Sequence, residues 1–222
     1  MMGEQQQVAD IGDISELNGV AQIVRDETLN AKLNLGIQSN DEAITTNGRM
    51  AITFLDDSTV RLTEHSELLI DEYIYDPDPS KSKMALTFGL GTARFITGNL
   101  NRIDKQNIQL KTPTANIAIR GTDFTATVDE LGRSLIVLLP DAYGLSSGEI
   151  EVITATGSVL LNKPFQATTV SVFENAPSCH PTVASVFENA FVIVQTTTVV
   201  LVLAVILASP LLNFKIRPTS VV

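Results

Sequence analysis

From residue 18 to residue 163, short runs rich in Val, Ile, Thr and Phe are punctuated by Gly, Asn and Asp. No window there sustains the i, i+3, i+4, i+7 apolar stripe of an amphipathic helix, whereas alternation of period two recurs and predicts strands. Asn47-Gly48 tolerates the two positive φ angles of a type I′ turn. Residues 43–46 and 49–55 are therefore expected to pair as a hairpin, with Met50, Ile52 and Phe54 on one face. Asp56-Asp57-Ser58 supplies a second turn before residues 59–62, where Val60 and Leu62 alternate with Thr59 and Arg61, so a three-stranded meander is predicted. Further strands are expected at 68–75, 84–88, 93–97, 108–111, 116–119 and 124–128. The last of these turns through 129–132 into 134–139, and 150–154 pairs with 158–161.

Asp76-Pro77-Asp78-Pro79-Ser80-Lys81 cannot continue a ladder, because each proline lacks an N–H and restricts the residue before it. It reads as a surface loop between two halves of one domain. Many short strands with frequent turns predict an all-β fold, an antiparallel β-sandwich, with a β-solenoid as the alternative. The expected organisation is a short tail at 1–17, a β domain at 18–163, a linker at 164–190, a candidate transmembrane segment at 191–212 and a short tail at 213–222.

The linker carries Val172-Phe173-Glu174-Asn175-Ala176, which reappears as Val186-Phe187-Glu188-Asn189-Ala190. Two copies are too few for a repeat fold. Residues 189–214 contain no charged side chain. About 20 apolar residues span a hydrocarbon core of roughly 30 Å as a helix, and Lys215 and Arg217 follow. The same stretch also reads as a buried β segment, since Gln195 and Thr196, Thr197 and Thr198 weaken a span and Val, Ile and Thr favour strands. In a spanning segment the positive-inside rule would leave the acidic domain outside the cytoplasm. Residues 1–19 show neither the basic leader nor the apolar run of a signal peptide. Insertion after synthesis would instead leave the domain in the cytosol.

Charge narrows the partners. A formal net charge of −10 and a pI near 4.6 disfavour phosphate backbones, so nucleic acid is not expected. Residues 164–222 hold only Glu174, Glu188, Lys215 and Arg217, which leaves nearly all the charge on the β domain. Cys179 is the single cysteine, so neither an intramolecular disulfide nor a Cys-rich zinc site can form.

The most specific pattern is Thr112-Pro113-Thr114-Ala115 followed by Ile119-Arg120-Gly121-Thr122-Asp123-Phe124. It resembles the signature of the FecR domain family, in which Thr-Pro-x-Ala precedes Arg-Gly-Thr-x-Phe at this spacing. Asp57-Ser58-Thr59-Val60-Arg61-Leu62 is similar to that family's Asp-Gly-Ser strand start, without the customary Gly beside Asp57. The resemblance covers about residues 19–128. It implies a bacterial envelope module that senses a partner protein, in relatives through an outer-membrane receptor and a sigma factor, and it also occurs in other surface proteins. Fewer than 20 residues precede the module here, so sigma-factor control is not expected. Within the motif Gly121 suits a bulge or close backbone approach, Arg120 is placed to bond carbonyls or a carboxylate, and Phe124 is expected in the core. Thr112, Pro113, Ala115, Arg120, Gly121, Thr122 and Phe124 are read as structural more than as a ligand site.

Chemistry elsewhere is sparse. His65 and His180 are the only histidines, and no nucleophile-elbow, His-Glu-x-x-His or P-loop pattern occurs, so no enzyme, cofactor, metal or small-molecule substrate is expected. Asp71, Glu72, Asp76 and Asp78 gather carboxylates without EF-hand spacing and read as a solvated edge. Cys179-His180 between two prolines lacks further ligands. The long connection at 140–148 is the candidate recognition loop, with Asp141, Tyr143, Ser146 and Ser147 as its residues, unless Tyr143 only pins the loop by ring packing. The expected function is a non-enzymatic, envelope-associated binding or sensor module acting through a protein partner. The membrane is expected as a contact through 191–212, on the periplasmic face. The alternative is a structural or adhesive surface or virion protein of bacterial or phage origin.

Overall fold

The computed structural model describes residues 9–76, 78, 81–98 and 108–180, and every element below lies among them. The described chain is all-β. Its strands are β1 (Gly12–Asn18), β2 (Ala21–Val24), β3 (Thr28–Asn30), β4 (Gly36–Ile37), β5 (Glu42–Thr45), β6 (Arg49–Phe54), β7 (Thr59–Leu62), β8 (Glu67–Ile74) and β9 (Lys83–Ile96). They continue as β10 (Ile108–Lys111), β11 (Asn116–Arg120), β12 (Asp123–Val128), β13 (Ser134–Leu138), β14 (Glu149–Thr154), β15 (Gly157–Leu161), β16 (Ala167–Val170) and β17 (Ser178–His180).

Two ladders result. The first runs in the order β4, β1, β6, β7, β9, β12, β13, β16, β17. The second runs β3, β2, β5, β8, β9, β10, β11, β14, β15. Neighbours are antiparallel except β9 and β10, which are parallel. From β10 onward the hairpins alternate between ladders, so each pairs with the hairpin two before it.

Strand β9 belongs to both ladders: residues up to Leu90 pair with β8, and Gly91 to Ile96 pair with β12. Gly91 makes the crossing with φ +94°, and a Cβ there would lie 2.6 Å from the His65 carbonyl oxygen. Seven residues of straight strand span about 23 Å, yet the rings of Phe88 and Phe95 meet edge to face with centroids 6.0 Å apart. The strand therefore bends sharply at this crossing. Phe54 of the first ladder stacks on Tyr73 of the second at 5.2 Å, and Phe95 stacks on Phe124 at 5.1 Å. One core cluster draws on both ladders, with Ile14, Ile52 and Phe124 from the first and Ile23, Leu68, Ile117 and Val152 from the second.

The expected face of Met50, Ile52 and Phe54 is buried, as are Val60 and Leu62. The expected hairpin through Asn47-Gly48 does not form. β5 pairs with β2 and β8, whereas β6 pairs with β1 and β7, so the three-stranded meander reduces to β6 and β7. Neither Asn47 nor Gly48 has positive φ. Gly48 is instead where the passage from β5 to β6 crosses the passage from β1 to β2, and a Cβ on it would lie 2.5 Å from the Val20 nitrogen. The expected strands at 84–88 and 93–97 are parts of the single strand β9. Paired strands begin at Gly12, inside the expected tail, and β16 and β17 continue the first ladder past Lys163.

The turn between β6 and β7 shows how a polar group is accommodated. Asp57 sits at φ +66°, a left-handed conformation that glycine adopts without cost. Asp56 beside it is fully buried. Its carboxylate accepts hydrogen bonds from the Tyr73 hydroxyl at 2.8 Å, the Ser58 hydroxyl at 2.5 Å and the Ser58 N–H at 3.3 Å. The Asp56 N–H in turn donates to the Tyr73 oxygen at 3.1 Å. Burial first, and the Asp56 charge second, push the Tyr73 hydroxyl far above its ordinary pKa.

Candidate recognition loop

The Thr-Pro-x-Ala segment forms the turn between β10 and β11. The Thr112 N–H donates to the Ala115 carbonyl at 2.9 Å, and the Thr112 hydroxyl accepts from the Ala115 N–H at 3.0 Å. Thr114, nearly buried, bonds to Ser134 at 2.7 Å and donates to the carbonyls of Gly132 and Val170. Pro113 lies against Gly132 in the turn between β12 and β13. This half of the motif fastens a turn of the second ladder onto two strands of the first. Across that β12–β13 turn, burial raises the Asp129 pKa, but bonds from the Arg133 guanidinium and the Arg133 and Leu131 N–H groups outweigh it and hold the group below its usual range.

The Arg-Gly-Thr-x-Phe half lies at the opposite end of β11. Arg120 makes an ion pair with Glu149, directly opposite it on β14. Gly121 has φ +51°, and the chain at Gly148 approaches so closely that a Cβ there would lie 2.7 Å from the Arg120 carbonyl oxygen. Thr122 is tied to Thr97, its N–H donating to the Thr97 hydroxyl at 2.6 Å. Asp123 makes a two-pronged pair with Arg94 at 2.9 and 2.5 Å. That bond raises the Arg94 pKa against the opposing effect of burial. Phe124 is fully buried.

The loop at 140–148 is built onto this motif. Ser147 accepts a hydrogen bond from the Asp123 N–H at 3.0 Å, lies 3.1 Å from the Thr122 hydroxyl, and donates toward the carbonyls of Leu139 and Asp123 at 2.7 and 3.1 Å. Ser146 donates to the Gly148 carbonyl at 2.7 Å and bridges to Pro140. At the tip the Asp141 carboxylate accepts from the N–H groups of Tyr143 and Leu145 at 2.8 and 2.9 Å. Asp141 N–H also donates to the Leu145 carbonyl at 2.8 Å. Tyr143 stands 88% exposed and Leu145 66% exposed, so ring packing does not pin the loop.

The Arg-Gly-Thr-x-Phe half of the motif and the loop thus form one bonded unit. Sequence spacing did not announce it, because Ser147 reaches Asp123 across the β13 strand and its return. The available hint was a serine pair inside a long connection. Among the described residues no group of three or more His, Cys, Asp or Glu is arranged to hold a metal. In the acidic edge Asp71 accepts from Thr87, Glu72 pairs with Lys83, and Asp76 accepts from the Asp78 N–H. Cys179 and His180 fall in β17, the last strand of the first ladder among the described residues. The arrangement is a displayed apolar tip on a fixed base, with the polar groups spent on holding it.

These features describe an all-β module in which Thr122 and Asp123 of the motif are hydrogen-bonded to a surface loop. A family model described as FecR protein matches residues 41–160, more than half of the chain, and the chain belongs to that family. No curated protein matches the chain. Two crystal structures of a candidate anti-sigma factor from Parabacteroides distasonis are similar to it. One has 13% identity and a TM-score of 0.45, covering 63% of this chain and 58% of its own. The other has 14% identity and a TM-score of 0.46, covering 65% and 62%. The chain thus spans about six-tenths of the length of those structures.

Proposed function

We propose that this chain is a non-enzymatic sensor or binding module of the FecR type, acting through contact with a protein partner at the 141–147 loop. The observation that carries the reading is an aromatic tip, Tyr143, almost wholly exposed on a loop whose base is bonded to the motif through Ser147. A preorganised loop loses little freedom on binding, and a tyrosine brings about 150–250 Å² of contact area. Membership of the FecR family supports a regulatory, signalling role rather than a catalytic one. The two ladders are read as the layers of a sandwich, supported by the contacts of Phe88 with Phe95 and of Phe54 with Tyr73. Envelope association extends the reading on family grounds. The 191–212 segment expected to meet the membrane lies outside the described residues. Among the described residues no helix is long and apolar enough to cross a membrane.

The test is site-specific photo-crosslinking in the native cell, with a benzophenone side chain at position 143 and, as control, at the exposed Leu131. A discrete adduct with one other protein at 143 and not at 131 is expected. Equal labelling at both positions, or none at 143, refutes the loop as the contact. An adduct with a second copy of the chain turns the reading toward a structural or adhesive assembly.

A further inference from the structure

A specific interface covers about 800 Å² on each partner, several times the roughly 150–250 Å² that one tyrosine brings. Contact at the loop must therefore spread onto its neighbours, and the hydrogen bonds at this end of the fold identify them. The Ser147 hydroxyl lies 3.1 Å from the Thr122 hydroxyl. The Thr122 N–H donates to the Thr97 hydroxyl at 2.6 Å, and the Thr97 N–H donates to the Thr122 carbonyl at 3.1 Å. Gly98, the next residue, donates its N–H to the Ser58 hydroxyl at 2.9 Å. Ser58 and the Tyr73 hydroxyl both donate to the Asp56 carboxylate. A continuous run of bonds thus leads from the loop, past the ends of β12 and β9, to the turn between β6 and β7 and to the end of β8.

Apolar side chains stand exposed along this run. Leu55 lies in the turn between β6 and β7, and Ile74 and Tyr75 lie at the end of β8. From that turn to the stem of the loop the ladder steps from β7 to β9, β12 and β13, about 14 Å at one strand spacing per step, which a single interface spans. All three tyrosines of the chain are here, Tyr73 inside the bonded run and Tyr75 and Tyr143 exposed. Tyrosine is a residue enriched at interfaces. The charge beside them is negative. Asp57 is exposed in the same turn, and Asp10 is exposed next to Ile11, whose carbonyl accepts from the Leu55 N–H. Lys81 and Lys83, which follow β8, are paired with Asp78 and Glu72. We propose that Leu55, Ile74, Tyr75, Tyr143 and Leu145 form one docking surface, and that its occupant is a protein presenting an apolar patch that carries Lys or Arg. The inference rests on the loop reading and adds the extent of the contact and the charge of the partner. Carboxylates at the rim favour encounter with the opposite sign. A second copy of this chain would bring the same carboxylates against them, at a formal net charge of −10 on each copy.

The test places a benzophenone side chain in the full chain at position 55, 75 or 143 in the native cell, with Leu131 in the β12–β13 turn as control. The same protein is expected in the adducts at 55, 75 and 143 and not at 131, joined through a peptide of that protein that carries Lys or Arg. Asp10→Asn combined with Asp57→Asn removes two charges, keeps an acceptor for the Gln38 amide and keeps a residue that tolerates the left-handed backbone. It should lower the adduct yield at 143 at least about threefold, whereas Glu130→Gln, exposed in the β12–β13 turn, should leave it unchanged. An adduct at 143 without the same protein at 55 and 75 overturns the wider surface and leaves the loop reading standing. Absence of any adduct at 143 removes the loop reading and this one with it. Adducts with a second copy or with lipid, or a yield unchanged in the double variant, overturn the assigned partner.

Discussion

Replacing Tyr73 by Phe removes one hydroxyl and leaves its stacking on Phe54 in place. Two bonds are lost at a fully buried aspartate. The Asp56 carboxylate loses a 2.8 Å donor, and the Asp56 N–H loses its 3.1 Å acceptor. A bond to a charged group contributes about 1.5–3 kcal/mol, and a neutral bond such as the one at the N–H about 0.5–1.5 kcal/mol. Because Ser58 still serves the carboxylate, the sum is expected near 2–4 kcal/mol rather than at the upper limit. That lowers Tm by roughly 5–15 °C for a domain of this size, and urea unfolding measures it directly. The pH dependence gives a second readout. The folded hydroxyl has its pKa raised above the ordinary 10.0. Below that value both states are protonated and the stability is fully present. Above it the unfolded tyrosine ionises while the folded one does not, and stability falls by up to about 1.4 kcal/mol per pH unit. The Phe variant lacks this contribution, so its deficit relative to the parent should shrink as pH rises past 10. A loss below about 0.5 kcal/mol, or a deficit constant across that range, would show that the hydroxyl does not hold the Asp56 turn.

Three further outcomes follow from single positions. Asp57→Gly introduces the residue that φ +66° favours and should stabilise the chain by about 0.5–1 kcal/mol in urea titration; a loss would mean that the Asp57 side chain outweighs the backbone strain. Gly91→Ala puts a Cβ against His65 and Ser66 at a positive φ and should cost at least about 2 kcal/mol, whereas a neutral effect would refute Gly91 as the crossing point. Ser147→Ala leaves the Asp123 N–H without this acceptor and should cost about 1–3 kcal/mol, with faster amide exchange at Tyr143 and Leu145. Unchanged exchange there would separate the loop from the motif.

Local signals located most of the strands because a period of two and a turn residue act over a few positions. The turn at Asp56-Asp57-Ser58, the turn at 129–132, the pairing of β14 with β15 and the burial of Phe124 were all readable in this way. Asn47-Gly48 misled for the same reason: the dipeptide permits a hairpin turn, but Gly48 is needed for a crossing against Val20, which no local pattern records. The reach of Ser147 to Asp123 and of Tyr73 to Asp56 was equally invisible, since each joins strands through a shared core. By itself the sequence determined where the chain is extended, which faces are apolar and which family motif it carries. The tertiary structure alone decided which ladder each strand joins, how β9 passes between them and which loop the motif holds out to solvent. Those choices depend on close approach between distant segments, and only the packed chain brings such segments together.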